Sequence, residues 1–348
     1  MTALAVVTLR NEGAFLLEWL AHHKAVGFTD FLVFSNDCQD GTDEMLDRLA
    51  DLGVLHHVRN AGPYAKGGVQ FTALNHASSM DIVQQADWIL PLDIDEFVNI
   101  HAGDGTLQAL WTALPDATAI TLTWRLFGNA GQIRYRDAPI AQTFTQAAPV
   151  DMPWPWRAAM FKTLYRNDGT YQKLGVHRPR KPHQDRLTEA AWFDGEGRRL
   201  PDAIKTRQIF SPFGRSNTRL VQLNHYPLGA MESFILKADR GRAVHSDDIL
   251  GLDYWIERNW NTDQDTSISR YDGQKSIHLK SLMDDPDLAR LHHKAVDWRH
   301  ARFHALMLQD GFRALFGRLL MTPESRPVSR DAAQFLLSFA HKAQSSNL

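Results

Sequence analysis

The sequence predicts an α/β fold of the GT-A type in outline: a mainly parallel, Rossmann-like sheet with helices on both faces, followed by a helical C-terminal extension. Short apolar runs at residues 3–9, 31–35, 54–58 and 87–92 alternate with segments whose apolar residues recur at helical spacing. Strands that alternate with helices pair in parallel and bury both faces of their sheet. From about Met231 onward the helical pattern continues without further strands.

The segments between these strands predict helices over residues 14–26, 44–52 and 70–85. Further strands are expected over 119–127 and 220–224. We therefore expect two regions, which are an α/β domain over residues 1–230 and a helical region packed on it over residues 231–348.

The composition excludes several classes of protein. The 348 residues include 38 basic and 40 acidic side chains that are interspersed, which disfavours a nucleic-acid-binding surface. Cys38 is the only cysteine, so an intramolecular disulfide is excluded and a reducing, cytoplasmic location is favoured. The N-terminus lacks signal-peptide features, and no window approaches the roughly 18 apolar residues of a membrane span. We expect a cytoplasmic protein, with peripheral association at the inner face of the membrane left open.

Three polar clusters follow predicted strands, at residues 8–12, 35–40 and 93–96. Ligands of open α/β sheets bind beyond the carboxyl ends of the strands. The three clusters are therefore expected to converge on one binding site.

The third cluster contains Asp93 and Asp95, spaced to face the same side of an extended chain. Paired carboxylates can hold a hard divalent cation, Mn²⁺ or Mg²⁺, which neutralises a diphosphate. A calcium loop starting at Asp93 is excluded because its sixth residue is Val98 rather than glycine. An aspartyl nucleophile is disfavoured because Phe97 stands where a hydroxyl residue is needed.

Three N-terminal blocks carry a resemblance to a known family: TLRNEGAFLLEWLAHHKAVGF, FSNDCQDGTDEMLDRL and ADWILPLDIDEFV. They resemble the nucleotide-sugar domain of family 2 glycosyltransferases with a GT-A fold, and most of all the branch that shares features with family 92. The resemblance extends more weakly through LGVHRP and LNHYPLGAMESFILKADRGR. It implies an inverting transfer of a hexose from a nucleotide-diphosphate sugar, with UDP favoured, to a glycan or lipid-linked acceptor.

The resemblance also implies roles for residues of these blocks. Thr8, Arg10 and Glu12 would line the base and ribose pocket, and the turn Ser35-Asn36-Asp37 would continue it, although the family pattern has two leading aspartates there. Gln70 would lie near the donor. The implied metal ligands are Asp93, Asp95 and a downstream histidine, for which we favour His225 over His177 because His225 follows an apolar run and can end a strand.

Other residues are candidates by their chemistry. Lys237, Arg240 and Arg242 lie close together in the sequence and can neutralise a diphosphate, although a solvated helix face is the plainer alternative. Aromatic rings suit the apolar face of a sugar. The predicted acceptor contacts are Trp124, Phe127, Trp154, Trp156 and His177.

An inverting reaction requires a base that deprotonates the acceptor. Asp151 is the candidate because it precedes the aromatic loop, with Glu96 as its supporting partner at the site. Two alternatives stay open: a non-catalytic module that binds a nucleotide or glycan, and a nucleotidyltransferase. The latter is disfavoured because Gly13 stands alone after the first strand, without a glycine-rich phosphate loop.

Overall fold

The computed structural model describes residues 1–64, 67–152, 154–212, 215–241 and 250–346. The strands of these residues, β1 to β13 in chain order, are Ala3–Leu9, Asp30–Ser35, His56–Arg59, Trp88–Leu92, Glu96–Ile100, Ala119–Leu126, Gln146–Ala147, Phe161–Arg166, Tyr171–Lys173, Arg180–Pro182, Trp192–Asp194, Val221–His225 and Asp263–Gln264. The α-helices, α1 to α14, are Gly13–Val26, Thr42–Asp51, Gly68–Ala77, Asp81–Gln85, Leu107–Ala113, Ile140–Thr143, Gln184–Leu187, Asp202–Thr206, Met231–Arg240, Leu252–Ile256, Asp272–Met283, Pro286–Met307, Asp310–Met321 and Arg330–Ser346.

One large sheet organises the fold, in the order β3-β2-β1-β4-β8-β6-β12-β5, with β11 paired to β6. Strand β1 pairs in parallel with β2 and β4, and β2 pairs in parallel with β3. Strand β8 is antiparallel to both of its neighbours, and β5 is antiparallel to β12. The expected fold class, a mainly parallel α/β sheet with a helical C-terminal region, is confirmed.

Strand β1 shows why helices cover both faces of the sheet. Every residue from Ala3 to Val7 is buried, and successive side chains enter different cores. Ala3, Ala5 and Val7 pack in the core that contains the apolar residues of α1, whereas Leu4 and Val6 pack in the core that contains those of α3. Side chains alternate across a strand, so a continuous apolar run is what a strand buried on both faces requires.

The structure departs from the sequence prediction near the site. The helix expected over residues 70–85 is two helices, α3 and α4, and Ser78 Oγ donates a hydrogen bond to the carbonyl of Leu74 where α3 ends. Strand β8 was not predicted, and it enters the sheet between β4 and β6. Because β8 runs antiparallel to β4, the start of β8 lies beside the end of β4, next to Asp93.

The C-terminal helices pack on the first two helices of the α/β region through ion pairs. Glu18 of α1 faces Lys275 of α11 at 3.4 Å. Arg48 of α2 pairs with Asp285 at 2.6 Å, where Asp285 also caps α12 through the backbone amides of its first turn. No helix among the described residues is long and apolar enough to cross a membrane. The boundary between two domains at residue 230 stays a prediction. Helix α9 packs on α12 and α13, and it also contributes side chains to the cleft described next.

Candidate donor-binding cleft

A cleft of about 860 Å³ lies at the carboxyl ends of β1, β2 and β4. The three polar clusters converge there because parallel strands end at one edge of the sheet. The predicted site residues that line the cleft are Thr8, Arg10, Glu12, Asn36, Asp37, Gln70, Asp93, Asp95, Trp124, His177, His225 and Lys237. Most of the residues proposed from the sequence thus line one cleft, and their roles there stay predictions.

Asp93 is held by two side chains from different elements. Gln70 Nε2 of α3 donates to Asp93 Oδ1 at 2.8 Å, and Lys162 Nζ of β8 donates to Asp93 Oδ2 at 2.9 Å. Glu96 fixes the backbone of the same turn, because its Oε2 accepts a hydrogen bond from the amide of Asp93 at 2.8 Å. Both carboxylate oxygens of Asp93 are thus directed by the protein before any ligand binds.

Burial and neighbouring charges shift the pKa values of Asp93, Glu96 and Lys162 in opposite directions. Burial alone raises the pKa of Asp93, but the ammonium of Lys162 outweighs it and holds that pKa below the usual value. Burial also dominates for Glu96 and raises its pKa to about 8, although Lys162 opposes the change. Burial lowers the pKa of Lys162, yet Asp93 and Glu96 together raise it above its usual value. Asp93 is therefore the ionised carboxylate and Lys162 a permanent cation at neutral pH.

Asp95 is bound by groups from β12 and α9. Lys237 Nζ donates to Asp95 Oδ2 at 2.7 Å and to the carbonyl of Pro227 at 2.8 Å. His225 Nε2 lies 3.6 Å from Asp95 Oδ1. Burial would raise the pKa of Asp95, but Lys237 and His225 hold it well below the usual value. The Asp95 carboxylate is therefore ionised, with one oxygen directed to a lysine and the other to an imidazole.

The predicted histidine ligand, His225, lies at the end of a strand as expected. It is 5% exposed, its ring centroid is 4.3 Å from that of Trp124, and its Nδ1 is buried without a hydrogen-bond partner. Burial lowers the pKa of His225 despite the neighbouring Asp95, so the ring is neutral at neutral pH and has a lone pair available.

A metal ion fits this part of the cleft only with ligands from the donor. Among the side chains that the structure describes, no three of His, Cys, Asp or Glu stand close enough together to hold an ion. Asp95 and His225 are adjacent, and a carboxylate with an imidazole suits Mn²⁺. Asp93 faces Lys162 instead. The remaining ligands would come from a diphosphate and water, as is common for divalent cations at nucleotide sites.

The wall between β1 and α9 is an ion pair. Arg240 Nη1 contacts Glu12 Oε1 and also donates to the carbonyl of Arg10 at 2.9 Å. Burial lowers the pKa of Arg240, but Glu12 more than offsets it, so the pKa is raised overall. Arg10 Nε in turn donates to the carbonyl of Asp37 at 3.3 Å. These contacts tie the first two strand ends to the helical region.

Asn36 and Asp37 line the far end of the cleft, where Tyr64 Oη donates to Asp37 Oδ2 at 3.0 Å. Ser35, predicted to lie in the same pocket, does not line it. Its side chain is buried and its Oγ is 2.8 Å from His57 Nε2, while His57 Nδ1 is 2.7 Å from Asp47. The Ser35 side chain therefore supports the turn from the side away from the cleft, because the side chains of a strand alternate between faces.

Other predicted residues also fall outside the cleft. Phe127 is 1% exposed and packs on Tyr226 with ring centroids 4.6 Å apart, so it has no surface to offer an acceptor. Asp151 forms a 2.8 Å ion pair with Arg330 and lines a different pocket. Glu96 is fully buried, and its Oε1 accepts from Trp124 Nε1 at 2.6 Å. Glu96 is thus a positioning residue that contacts no substrate.

The structure describes some, but not all, of the remaining predicted residues. Trp124 and His177 both line the cleft, and their ring centroids are 5.7 Å apart. Trp154 is partly buried and is not among the residues that line the cleft. The side chain of Trp156 and the whole of Arg242 lie outside what the structure describes.

Sequence reasoning missed polar residues at the site. Lys162, which binds Asp93, lies on a strand that was not predicted, although a lysine within the run FKTLYR signals a buried charge with a partner. Tyr64 and Arg258 are two that line the cleft, and Arg258 Cζ stacks 3.8 Å above the ring centroid of Tyr254. Neither residue belongs to a recognisable pattern, so only the fold reveals them.

Taken together, fold and cleft define an α/β protein with an acidic pair at the strand ends that faces a group of cations. Residues 5–189 match glycosyltransferase family 92. The chain belongs to that family. The resemblance to family 92 is therefore confirmed, whereas the wider assignment to family 2 stays a prediction.

Curated relatives agree with this family. A glycosyltransferase family 92 protein of Oryza sativa subsp. japonica is 25% identical over 140 residues, which are 39% of this chain and 23% of the relative. One from Ricinus communis is 27% identical over 95 residues, 27% of this chain and 16% of the relative. The matched segments thus span less than a quarter of the length of these relatives.

Similar solved structures are distant in sequence and in structure. Residues 1–349 of TarS from S. aureus are 14% identical, with a TM-score of 0.34, over 86% of this chain and 89% of that one. The same fragment in complex with UDP-GlcNAc is 13% identical, with a TM-score of 0.34, over 82% of this chain and 73% of that one.

Proposed function

We propose that this protein transfers a hexose from a nucleotide-diphosphate sugar, with UDP as the favoured nucleotide, to a hydroxyl group of a glycan or lipid-linked acceptor. The observation that carries the proposal is the convergence of Asp93 and Asp95 with Lys237 and Arg240 in one cleft. Membership of family 92 supports the reaction class, and the resemblance to family 2 favours UDP and inversion of the anomeric centre.

The lining of the cleft suits both parts of such a donor. Asn36, Asp37 and Tyr64 offer hydrogen-bonding groups to a nucleoside. Lys237 and Arg240 of α9 bring two cations to the cleft, which suit the charge of a diphosphate. Asn36 and Asp37 therefore take the base and ribose, and Lys237 takes the phosphates.

Transfer breaks the bond between the anomeric carbon and a phosphate oxygen while an acceptor oxygen forms a new bond to that carbon. Negative charge grows on the departing diphosphate, and preorganised cations stabilise it best because they need no reorganisation during reaction. Lys237 is held in place by Asp95 and the carbonyl of Pro227. The acceptor hydroxyl gives its proton to a base within hydrogen-bond reach.

A divalent cation is part of the proposal. Asp95 and His225 would hold Mn²⁺ or Mg²⁺ beside the diphosphate, where the ion would act as a Lewis acid on the leaving group. Asp93, directed by Gln70 and Lys162, would orient the sugar or the water molecules around the ion. Trp124 and His177, which lie beside His225 in the same cleft, would bind the acceptor.

Thermal-shift measurements test the donor and the metal together. A ligand that binds only the folded protein raises its midpoint by mass action. UDP, GDP, CMP and their sugars are compared with and without Mn²⁺. We expect a Mn²⁺-dependent shift with UDP and UDP-hexoses. No shift with any nucleotide would contradict the proposal.

Product analysis separates the competing functions. Release of UDP and free hexose from a UDP-hexose under Mn²⁺ is the expected background reaction of a transferase without acceptor. Binding without turnover would favour the non-catalytic module, and release of pyrophosphate from a nucleoside triphosphate would favour a nucleotidyltransferase. Lys237→Met should abolish turnover. The matched surface control Lys280→Met should not, because Lys280 is exposed on α11 and pairs, among the described residues, with Asp284 just after that helix.

We also propose that the protein acts in the cytoplasm, with peripheral association at the inner face of the membrane. Fractionation of cells that express the full-length protein, followed by a salt wash of the membrane fraction, tests this location. Recovery in a compartment outside the cytoplasm would contradict it.

A further inference from the structure

A second pocket lies beside the donor cleft, lined by α1, α9, α12 and the chain segments 132–144 and 226–230. We call it the inner chamber and define it by Phe15, Tyr135, Leu236, Trp298 and Arg299. Its volume is about 90 Å³. On the same measure a single water molecule requires only about 10–15 Å³. The chamber therefore has room for a small organic molecule.

Arg299 is the unusual feature of this chamber. The side chain is 6% exposed, and its Nε is buried without a hydrogen-bond partner. Its Nη2 donates to Ser233 Oγ at 3.0 Å. Among the described residues, no carboxylate lies within ion-pair distance of its guanidinium. A buried charge without an opposite charge is costly.

Two aromatic rings hold the guanidinium in place. Arg299 Cζ lies 4.4 Å from the ring centroid of Phe15 and 4.7 Å from that of Tyr135. The two rings meet edge to face, with centroids 5.9 Å apart. Contacts of this kind stabilise a cation through the ring faces. Arg299 is thus held in place, with a charge that no described carboxylate pairs.

The charges around the chamber leave an excess of cations. The three carboxylates that line it are Glu12, Asp95 and Asp239. Each is already paired, with Arg240, Lys237 and Arg302 respectively. By contrast, Arg299 and the exposed Arg134 and Arg136 line the chamber without an ion pair to any described residue. An anion is the ligand that balances this arrangement.

The rest of the lining is largely apolar. Phe15, Ile94, Phe144, Leu236 and Trp298 contribute carbon surface to the wall. A pocket that combines apolar walls with one well-placed charge recognises a molecule with an apolar body and a charged end. Inorganic phosphate would satisfy the charge but leave the apolar walls unfilled.

We propose that the inner chamber binds a small organic anion, a carboxylate or phosphate ester with an apolar ring or chain, whose charged end contacts Arg299. The chamber and the donor cleft share the Glu12–Arg240 and Asp95–Lys237 ion pairs as their common wall. The site adjoins the donor cleft, and it does not depend on the proposed reaction.

Calorimetry of the full chain tests the proposal with defined probes. Phenyl phosphate and benzoate supply the ring and the anion, and benzyl alcohol is the neutral control with the same ring. We expect at least one of the two anions to bind and the alcohol not to bind. Arg299→Met should weaken binding at least tenfold, and Arg299→Lys should weaken it less, because the charge remains but the planar fork is lost.

A second variant keeps the test decisive if Arg299→Met does not fold. Ala138 is exposed and lines the chamber, so Ala138→Trp can block it without disturbing the core. We expect this variant to lose probe binding while its UDP-induced thermal shift stays unchanged. Saturating UDP should not displace the probe from the unaltered protein. Absence of binding by both anions, unchanged binding in Arg299→Met or Ala138→Trp, or displacement by UDP would each overturn the proposal.

Discussion

Lys162 Nζ lies 2.9 Å from Asp93 Oδ2 and belongs to a side chain that is fully buried. The same ammonium is 3.4 Å from Glu96 Oε2, so one lysine contacts two carboxylates of the turn at residues 93–96. The residues are far apart in sequence but adjacent across β4 and β8. This contact sets the ionisation and direction of Asp93 before any donor arrives.

Lys162→Met should strongly destabilise the protein. The change leaves Glu96 and Asp93 without their buried cation, and breaking a buried ion pair costs about 3–5 kcal/mol. Urea unfolding at pH 7 measures the loss. Lys280→Met is the control. Lys280 forms an exposed ion pair with Asp284, and its loss should leave the urea midpoint unchanged within error. A loss of less than about 1 kcal/mol in Lys162→Met would show that the cluster is solvated rather than buried.

Asp95→Asn should abolish Mn²⁺-dependent binding of UDP and leave the fold intact. The amide keeps the shape of the side chain but loses the charge that a divalent cation needs. Titration calorimetry with and without Mn²⁺ measures the effect. Asp104→Asn is the matched control, because Asp104 is an exposed carboxylate that bonds only the following turn. Unchanged Mn²⁺-dependent binding in Asp95→Asn would falsify the metal assignment.

Trp124→Phe should damage the acceptor side of the cleft. The substitution removes the Nε1 donor that Glu96 Oε1 accepts at 2.6 Å and leaves that oxygen buried without a partner. A loss of about 1–3 kcal/mol in stability is expected. If Trp124 also binds the acceptor, transfer should fall more than hydrolysis of the donor. Equal losses in both rates would assign Trp124 a structural role only.

Acidification should destabilise the protein through two buried histidines on α1. His22 Nε2 is 2.8 Å from the carbonyl of Val98, and His23 Nδ1 is 2.8 Å from that of Trp19. Burial lowers the pKa of His22 to about 3 and that of His23 well below its usual value. Because the unfolded chain takes up these protons first, the stability they contribute is complete above about pH 6.5 and is lost as the pH falls toward 3.

Urea unfolding between pH 7 and pH 4.5 measures this dependence. His22→Gln keeps a donor for the carbonyl of Val98 but cannot take up a proton, so it should flatten the slope of stability against pH. The exposed His183 offers a control, and His183→Gln should leave the slope as it is. An unaltered slope in His22→Gln would mean that other groups cause the acid sensitivity.

Much of the fold follows from patterns that are local in sequence. Strands β1, β2 and β4 were predicted from short apolar runs, and their parallel pairing follows from the helices between them. The edge where Asp93, Asp95 and Asn36 meet follows in turn, because parallel strands share one carboxyl edge. His225 was also predicted at a strand end, and it lies there. These inferences needed only spacing and residue type.

Contacts between distant segments could not be predicted in this way. Strand β8 carries Lys162 to Asp93, and its place between β4 and β6 depends on sheet order, which no local pattern encodes. Asp151 was predicted to be the catalytic base, but a distant contact holds it elsewhere. Its partner Arg330 lies on α14, near the other end of the chain. Phe127 was expected at the surface of the cleft but is covered by Tyr226.

The sequence by itself determined the α/β order, the acidic pair and the edge of the sheet at which they lie, because periodicity and strand direction are properties of short segments. Only the tertiary structure decided which cations meet which carboxylates, and that Arg299 faces a chamber without an anionic partner. Such pairings depend on packing between segments far apart in the chain, where burial sets both the pKa of each group and the need for an opposite charge.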